Sequence, residues 1–388
     1  MSNVLDGIKV LDFTTAIAGS YAIRFLGDLG ADVIKIESFD GDSFRSQIGN
    51  FIVWNVSKRG MVIDLKQEEG KEIVRKLVKG ADVVAHNYRA SVAKKLELDY
   101  ETLNKINPRL VYSSESAWGD DGPYGGKAGF DPVLQAESGI MASQGYKQQS
   151  PVDLSHAEVD VATTTLHTFA IMAALFVRAR TGKGQHVKTT LLDGALSVQP
   201  DTFVFYANRP EQIWAGPDYL GPSATTHLYK TKDRWLMIDC TNEESWLNLC
   251  DAVNKPDLKT NKLYNTTSAR IHNSETLTSI FNEVFTQHSA EEWLSKMYSH
   301  RVPASPINDF ESIPTLDLVL QNGLLAEAYE PIAKGKMKQV KTMFQLSETP
   351  SSIQSTAPLL GEHTQEILKE LNYTDEHIGK LRSMKVIP

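Results

Sequence analysis

Strand-like runs alternate with helix-like runs over roughly the first 120 residues, and this rhythm restricts the fold more than any other feature of the chain. The pattern predicts strands at residues 9–13, 31–36, 61–65, 83–86 and 110–113, and helices at 16–29 and 68–78. Such alternation builds a parallel sheet covered by helices, with ligand sites at the carboxyl ends of the strands. We therefore expect an α/β protein with a Rossmann-like large domain. No GxGxxG sequence follows the first strand, so the standard dinucleotide fingerprint is absent.

A change in composition marks a second unit of the chain. Residues 222–322 contain no glycine, although glycine is spread through the chain on either side. Within this stretch, residues 226–230 and 234–238 resemble strands, whereas residues 244–253 and 290–299 have helical patterns. We therefore predict a smaller α+β domain over roughly residues 222–320.

Composition narrows the classes of function. The length of 388 residues allows two domains, and the net charge of -8 argues against nucleic acid as the main partner. Apolar stretches are interrupted short of the ~20 residues of a membrane span, and the N-terminus lacks an export signal, so we expect no membrane. Two cysteines, Cys240 and Cys250, are too few for a disulfide framework, which favours the reducing cytoplasm. Neither the cysteines nor the ten histidines have metal-ligand spacing, and we predict no metal.

Asp160 stands where a polar turn changes into a long, apolar, alanine-rich run, PVDLSHAEVDVATTTLHTFAIMAALF. One explanation is structural, because an acid in the first turn of a helix complements the helix dipole. The other is chemical, because a carboxylate can act as a nucleophile. The nearby acids Asp153 and Glu158 are more typical of solvated turns. The wider sequence favours the chemical explanation.

Segments along almost the whole chain resemble the class III CoA-transferase family, also called CaiB/BaiF. The similar segments, in order, are residues 7–37, 55–88, 106–114, 122–141, the stretch around Asp160, 178–196, 301–309 and 357–371. The family includes formyl-CoA transferase, carnitine CoA-transferase and 2-methylacyl-CoA racemase relatives. The resemblance implies that residues 1–221 form the N-terminal part of a large CoA-binding domain, that 222–320 form the small domain, and that 321–388 return to the large one.

The implied activity is that of an acyl-CoA:carboxylate CoA-transferase, which moves CoA between an acyl-CoA and a free carboxylic acid. By resemblance, Asp160 is the nucleophile and holds the acyl group as a mixed anhydride. The racemase branch offers an alternative, but it uses a histidine base in a GHD motif where this chain reads GFD, with Phe130. A phenyl ring cannot exchange a proton, so transfer is favoured over racemisation. A non-catalytic acyl-CoA-binding protein is a further alternative, which the intact Asp160 disfavours.

The resemblance also implies the positions that contact CoA. They are Ile17, Ala18, Ser38, Ile63, Asp64, Leu65, Lys66, Asn87, Tyr88, Arg89, Lys95, Phe130 and Asp131. Three of them differ from residues of family members: Ile17 replaces a glutamine of the formyl-CoA/oxalate branch, Ser38 replaces an arginine, and Lys95 stands where many members have an arginine. Arg45 or Lys58 are candidates to supply the missing charge. For Lys66 and Lys95, an ordinary solvated lysine is an equally good interpretation.

Two further expectations come from the resemblance. The formyl-CoA branch has a glycine-rich lid in its small domain, and the glycine-free stretch here disfavours an oxalate-type substrate and favours a bulkier acid. Members of the family form homodimers in which each chain makes a ring threaded by the other. Residues 182–200, between the domains, and the tail at 358–371 are the pieces that would close such a ring, so we expect an interlocked homodimer.

Overall fold

The computed structural model describes residues 3–144, 150–209, 219–342 and 344–388. They form two compact units. The larger unit comprises Met1–Ser138, Leu154–Val204 and Asp317–Pro388, and the smaller comprises Gly139–Asp153 and Phe205–Leu316. The change between the units thus falls near residues 204 and 317, whereas the predicted domain bounds are 1–221, 222–320 and 321–388. Those bounds stay a prediction.

A six-stranded parallel sheet forms the centre of the larger unit, in the order β3-β2-β1-β4-β5-β6. Its strands are β1 (Lys9–Phe13), β2 (Asp32–Glu37), β3 (Arg59–Val62), β4 (Val83–His86), β5 (Val111–Ser116) and β6 (His186–Thr190). This arrangement confirms the predicted α/β class. The strand order runs outward from the centre of the sheet, through β1, β2 and β3 to one side and through β4, β5 and β6 to the other. The crevice between β1 and β4, at this switch point, is where α/β proteins bind ligands.

Both units contain helices, which connect the strands and cover the sheets. In chain order they are α1 (Ala18–Asp28), α2 (Ile48–Asn55), α3 (Glu68–Lys79), α4 (Ala90–Lys95), α5 (Tyr100–Ile106), α6 (Asp131–Glu137), α7 (Ile140–Ser143), α8 (Glu158–Thr181), α9 (Leu191–Ser197), α10 (Glu243–Ala252), α11 (Thr267–His272), α12 (Ser274–Phe285), α13 (Ala290–Ser299), α14 (Asp317–Gln321), α15 (Thr364–Glu370) and α16 (Asp375–Ser383). Short 3₁₀ turns occupy Ser43–Ser46, Pro200–Phe203, Pro256–Lys259 and Ile313–Thr315.

Each face of the parallel sheet is covered by its own set of helices, because successive strand side chains point in opposite directions. Leu11 of β1 lies in one core with side chains of α3, α5, α15 and α16. Val10 lies in the opposite core with side chains of α1 and α8. The C-terminal helices α15 and α16 therefore belong to the large unit.

Most predicted elements match the structure closely, and the differences have local causes. Residues 9–13 and 83–86 are strands with the predicted bounds. Helix α1 begins at Ala18 instead of residue 16, because Ala16 has a left-handed φ of 60°. Strand β3 ends at Val62 instead of residue 65, since Asp64 turns the chain by accepting hydrogen bonds from the Lys66 N–H and the Gln67 amide.

The smaller unit contains an antiparallel sheet of β7 (Thr226–Lys230), β8 (Trp235–Asp239) and β9 (Ala304–Pro306). Its core is aromatic, and Tyr229 stacks on Phe285 with ring centroids 4.7 Å apart. Helices α10 and α13 agree with the predictions at 244–253 and 290–299. Two further strands, β10 (Leu325–Glu330) and β11 (Gly335–Val340), form a separate antiparallel hairpin in the larger unit.

Helix α8 corrects one expectation. Among the described residues, it alone is long and apolar enough to cross a membrane, with a mean hydropathy of 1.4 in a window that is 39% buried. The prediction that no apolar stretch reaches this length is therefore wrong. The helix packs against α1, α9, β5 and β6 on one side and is exposed on another. The absence of a membrane partner stays a prediction.

Helix α9 lies so close to the start of α8 that only a glycine fits between them. A Cβ atom at Gly194 would lie 2.1 Å from the Thr163 Oγ1 atom and 2.9 Å from the Val159 carbonyl oxygen. Gly379, in the middle of α16, has open space around it. Replacement by alanine should therefore change the free energy of unfolding in opposite directions at these two positions.

We expect Gly194→Ala to lower the free energy of unfolding by about 1–3 kcal/mol, since the added methyl overpacks the α8–α9 contact. Gly379→Ala should raise it by about 0.5–1 kcal/mol, because alanine is the better helix former. Denaturant unfolding of both variants checks this pair. Equal effects in the two variants would contradict the close contact.

Candidate active site

The loop that follows β1 is held in place by the loop that follows β4. The Asn87 amide donates to the Thr15 carbonyl oxygen over 2.7 Å and accepts from the Thr15 N–H over 3.1 Å. Below this loop, the buried Lys58 ammonium donates to Asp12 at 2.7 Å and to the Ser20 carbonyl oxygen at 2.8 Å. The backbone between β1 and α1 is thereby fixed at the carboxyl edge of the sheet.

Asp160 lies in the first turn of α8, and a second carboxylate holds that turn. The N-cap residue Ala157 has no capping side chain. In its place, the Asp131 Oδ2 atom accepts a hydrogen bond from the Asp160 N–H over 2.9 Å. Gln135 donates to the other oxygen of Asp131 and bridges to both the N–H and the carbonyl oxygen of Leu154. Asp131 therefore positions the backbone of Asp160 and is buried itself.

Buried hydrogen bonds attach the body of α8 to the rest of the large unit. The ring of His167 bonds to the Ser113 hydroxyl at 2.8 Å and to the Thr189 hydroxyl at 2.7 Å, which ties the helix to β5 and β6. Thr164 donates to the Ala18 carbonyl oxygen in the first turn of α1. Burial lowers the pKa of His167 to about 4, so this ring is neutral at physiological pH. Asp160 thus stands on a rigid helix.

A cavity of about 250 Å³ opens beside Asp160 in the large unit. Its walls come from the loops after β1 and β4, from the end of β5 and the loop between β5 and α6, and from the starts of α8 and α9. The lining residues are 15–18, 87–89, 115–117, 119–120, 126–130, Asp160 and Leu191. Phe130 contributes an aromatic ring that is 68% exposed. The space has room for a small acyl group.

The cavity holds two carboxyl groups whose pKa values are raised. Burial, followed by the charge of Asp131, raises the pKa of Asp160 to about 7. Burial, followed by the charge of Asp160, raises the pKa of Glu115 to about 8. Near neutral pH, part of the protein therefore carries Asp160 as a carboxylate, which is the nucleophilic form.

The structure brings about half of the predicted site residues together. Asp160, Ile17, Ala18, Asn87, Tyr88, Arg89 and Phe130 all line the cavity, and Asp131 lies directly behind Asp160. The others do not line it. Ser38, Asp64, Leu65 and Lys66 follow β2 and β3 farther along the same carboxyl edge, and Lys95 is exposed on α4. Ile63 is buried in the hydrophobic core, so its side chain is committed there.

Arg45 and Lys58, the two candidates to supply the missing positive charge, each already form an ion pair within the protein. Lys58 is fully buried in its contacts with Asp12, Ser20 and Asn55, so it does not reach a ligand at the surface. The Arg45 guanidinium binds the Glu37 carboxylate at 2.6 Å and lies over the ring of Phe51. Asp153 and Glu158 are exposed and lie outside the cavity lining, in contrast to Asp160.

Sequence reasoning missed several lining residues, above all Glu115. On β5, Ser113 faces α8, and the period of two along a strand places Glu115 on the same face. The alternation of side chains along β5 therefore indicates that Glu115 faces α8, but only when the position of α8 is known. Lys127 and Asp120 enter from the loop between β5 and α6, which the sequence does not place. Among the residues that the structure describes, no group of three His, Cys, Asp or Glu side chains is arranged to hold a metal.

Comparison with known proteins identifies the family. Residues 5–364 match the family model described as CoA-transferase family III. The chain is 32% identical to human succinyl-CoA:glutarate CoA-transferase, over 100% of this chain and 91% of that protein. It is also 32% identical to succinyl-CoA:mesaconate CoA-transferase of Haloarcula marismortui, over 94% of this chain and 96% of that protein.

A solved structure agrees with these matches. The crystal structure of a CaiB/BaiF family protein from Brucella suis superimposes with a TM-score of 0.83 and 31% identity, covering 96% of this chain and 100% of that one. The sequence match and the structural match each extend over nearly the whole chain. The chain therefore belongs to CoA-transferase family III.

Proposed function

We propose that this CoA-transferase moves CoA from an acyl-CoA thioester to a free carboxylic acid through covalent intermediates on Asp160. The observation that carries the proposal is the placement of Asp160, which lies at a cavity on a rigid helix with its pKa raised to about 7. A raised pKa makes a carboxylate a stronger nucleophile while part of it stays ionised near neutrality. The family membership of the chain supports the same reaction class.

The first half of the reaction exchanges one thioester for another. An Asp160 oxygen attacks the thioester carbonyl, and the C–S bond breaks. CoA leaves as a thiolate, and the acyl group stays on Asp160 as a mixed anhydride. The thiolate then attacks the Asp160 carbonyl carbon and displaces the donor acid as its carboxylate. Asp160 now carries CoA as a thioester, and the energy of the original thioester is conserved.

The second half runs through the same bonds in reverse order. The carboxylate of the acceptor acid attacks the aspartyl thioester and releases CoA thiolate from a new mixed anhydride. The thiolate attacks the acyl carbon of the acceptor, and the new acyl-CoA leaves with Asp160 restored as a carboxylate. No oxidant, metal or net proton is required. Water must be excluded, because it would hydrolyse either intermediate.

A short dicarboxylic acid is the substrate class that we propose. The human and Haloarcula relatives are both named for succinyl-CoA and a dicarboxylic acid. The cavity supports this class, since Arg89 and Lys127 line it together with Asp160. A cation at the cavity wall would attract the second carboxylate of such an acid. Turnover of a panel of dicarboxylic acids would identify the donor and the acceptor.

Two alternatives receive less support from the site. Epimerisation beside a thioester needs a proton donor and an acceptor on opposite faces of the carbon. Phe130 stands at the base position of the racemase pattern, and its ring offers neither group. A protein that only binds acyl-CoA would have no need for a partly buried carboxyl with a raised pKa beside the ligand cavity.

We also propose an interlocked homodimer that acts in the cytoplasm, without nucleic acid or a membrane as partner. Support for a protein interface comes from α8, where Phe169 is 73% exposed and Phe176, two turns along the same face, is 64% exposed. Exposed aromatic residues that share a helix face are typical of protein contacts. The net charge of -8 disfavours binding to nucleic acid.

Replacement of Asp160 tests the proposed function. Asp160→Ala and Asp160→Asn should each lower kcat by at least about 1,000-fold, because the nucleophile is lost. Affinity for CoA, measured by calorimetry, should change little. Glu158→Gln serves as the control, since Glu158 is exposed in the same turn and outside the cavity. A rate for Asp160→Ala within a few fold of that of Glu158→Gln would contradict the assignment.

The pH dependence of the first half-reaction should report the ionisation of Asp160. The protonated acid is not nucleophilic, so the rate should fall as the pH drops below about 7, where Asp160 gains its proton. Asp131→Asn should move this acid limb to lower pH, because the charge of Asp131 raises the pKa of Asp160. Asparagine has one acceptor oxygen, which can still bind the Asp160 N–H, while its amide nitrogen takes the place of the oxygen that accepts from Gln135. The rate is measured by rapid-mixing kinetics across pH. An acid limb of the pH–rate profile at the same pH in Asp131→Asn as in the wild type would count against this electrostatic account.

Particle mass tests the proposed assembly. An interlocked dimer should have a mass near twice 43.1 kDa and should persist on dilution, since separation requires partial unfolding. Aspartate at both Phe169 and Phe176 should prevent assembly. Aspartate at Phe39, which is 43% exposed elsewhere in the large unit, is the control. Mass photometry showing wild-type monomers at low concentration would rule out the threaded form.

A further inference from the structure

Glu115 is a buried acid with no role in the transfer scheme. It lies near the carboxyl end of β5, is 5% exposed and lines the cavity that contains Asp160. Its Oε2 atom is buried and accepts no hydrogen bond from any residue that the structure describes. A buried carboxyl oxygen without a partner is costly. The unpaired Oε2 atom of Glu115 therefore indicates that a ligand bound in the cavity forms the missing hydrogen bond.

The backbone of α1 makes room for this carboxyl group. A Cβ atom at Gly19 would lie 2.8 Å from Glu115 Oε2 and 2.8 Å from the side chain of Thr14. Only a glycine in the first turn of α1 allows the carboxyl to occupy this place. The packing between α1 and β5 thus fixes where the Glu115 oxygen lies, on the same wall as the loop after β1.

The charges around Glu115 disfavour its ionised form. Asp160 enters from α8, and its charge acts directly on Glu115. The charged groups of the other cavity walls are Arg89, Asp120 and Lys127, which are exposed to solvent. Two buried lysines of this region are already paired, Lys58 with Asp12 and Lys35 with Asp42. Glu115 therefore has a neighbouring carboxylate and no ion-pair partner among the described residues.

We propose that Glu115 is a substrate-contacting residue that, as a carboxylic acid, donates a hydrogen bond to the carbonyl oxygen of the acyl group held at Asp160. This inference rests on the proposed function of Asp160. The attack of Asp160 moves negative charge onto that oxygen, and a fixed donor beside it lowers the barrier. The proton stays on Glu115 throughout, so the bonds exchanged at Asp160 are unchanged.

The two carboxyl groups then need opposite protonation states. Asp160 must be ionised to attack, and Glu115 must be neutral to donate. Burial, and then the charge of ionised Asp160, raises the pKa of Glu115, so Glu115 can keep its proton after Asp160 has lost its own and a window of pH supplies both forms. As the pH rises through the pKa of Glu115, the donor becomes a second carboxylate, and the rate should fall. The activity should therefore follow a bell-shaped pH profile.

Two substitutions separate the hydrogen bond from packing. Glu115→Gln keeps the shape and an N–H donor but does not titrate, and Glu115→Met keeps the bulk without a donor. Glu137→Met is the control, since Glu137 is exposed at the end of α6. The measurement is the rate at which succinyl-CoA labels each protein, across pH, together with kcat, KM and the melting temperature.

We expect Glu115→Gln to keep most of the neutral-pH rate and to lose the alkaline fall. Glu115→Met should lose about 100-fold in kcat with little change in KM, the size of effect expected from removal of one donor to a developing oxyanion. Its melting temperature should rise, because an unpaired buried carboxyl has been removed. A loss of activity through unfolding would show instead as a lower melting temperature.

The outcomes distinguish this inference from the proposed function. If no acyl-CoA labels the wild-type protein, the proposed function fails and the inference falls with it. If the wild type is labelled and Glu115→Met matches its rate and pH profile, only the role of Glu115 is overturned. An equally slow Glu115→Gln would overturn it too, since that variant still has a donor.

Discussion

The hydrogen bond from the Asp160 N–H to Asp131 is the contact on which the site depends most. Helix α8 begins after Ala157, a residue with a left-handed φ of 46° and no capping side chain. Asp131 takes over the role of the cap from another helix and so fixes both the position of α8 and the rotation of its first turn. Losing a cap costs about 1 kcal/mol in stability. Here the same contact also places one carboxylate next to another, which adds to the effect of burial in raising the pKa of Asp160.

The buried ion pairs under the loop after β1 hold that loop in place more than they stabilise the fold. Lys58 pairs with Asp12 at 2.7 Å and Lys35 pairs with Asp42 at 3.1 Å, all of them buried. Removing two ions from water offsets most of the attraction between them, so buried pairs add little net stability. Their hydrogen bonds reach the carbonyl oxygens of Thr14 and Ser20. The pairs thus hold the loop that forms one wall of the cavity.

The sequence predicted the layers of the fold well, because strand and helix periods are local properties of the chain. It also singled out Asp160, through its place at the start of an apolar helix. It did not predict Glu115, since the distance from β5 to α8 depends on packing between segments far apart in sequence. It overestimated Lys58 as a ligand residue, because its burial against Asp12 comes from a pairing across 46 positions. Ile63 shows the same limit, as its side chain points into the core.

Transfer of oxygen atoms tests the covalent role of Asp160 most directly. In the proposed scheme, the oxygen that bridges acceptor and enzyme in the second anhydride stays on the aspartate when the new acyl-CoA leaves. Wild-type protein should be taken through a single turnover with a donor acyl-CoA and an acceptor acid in which both carboxylate oxygens are the heavy isotope. Mass spectrometry should then find one heavy oxygen in the peptide that contains Asp160. Catalytic turnover that leaves this peptide unlabelled, or labels a different acidic residue, would contradict the account.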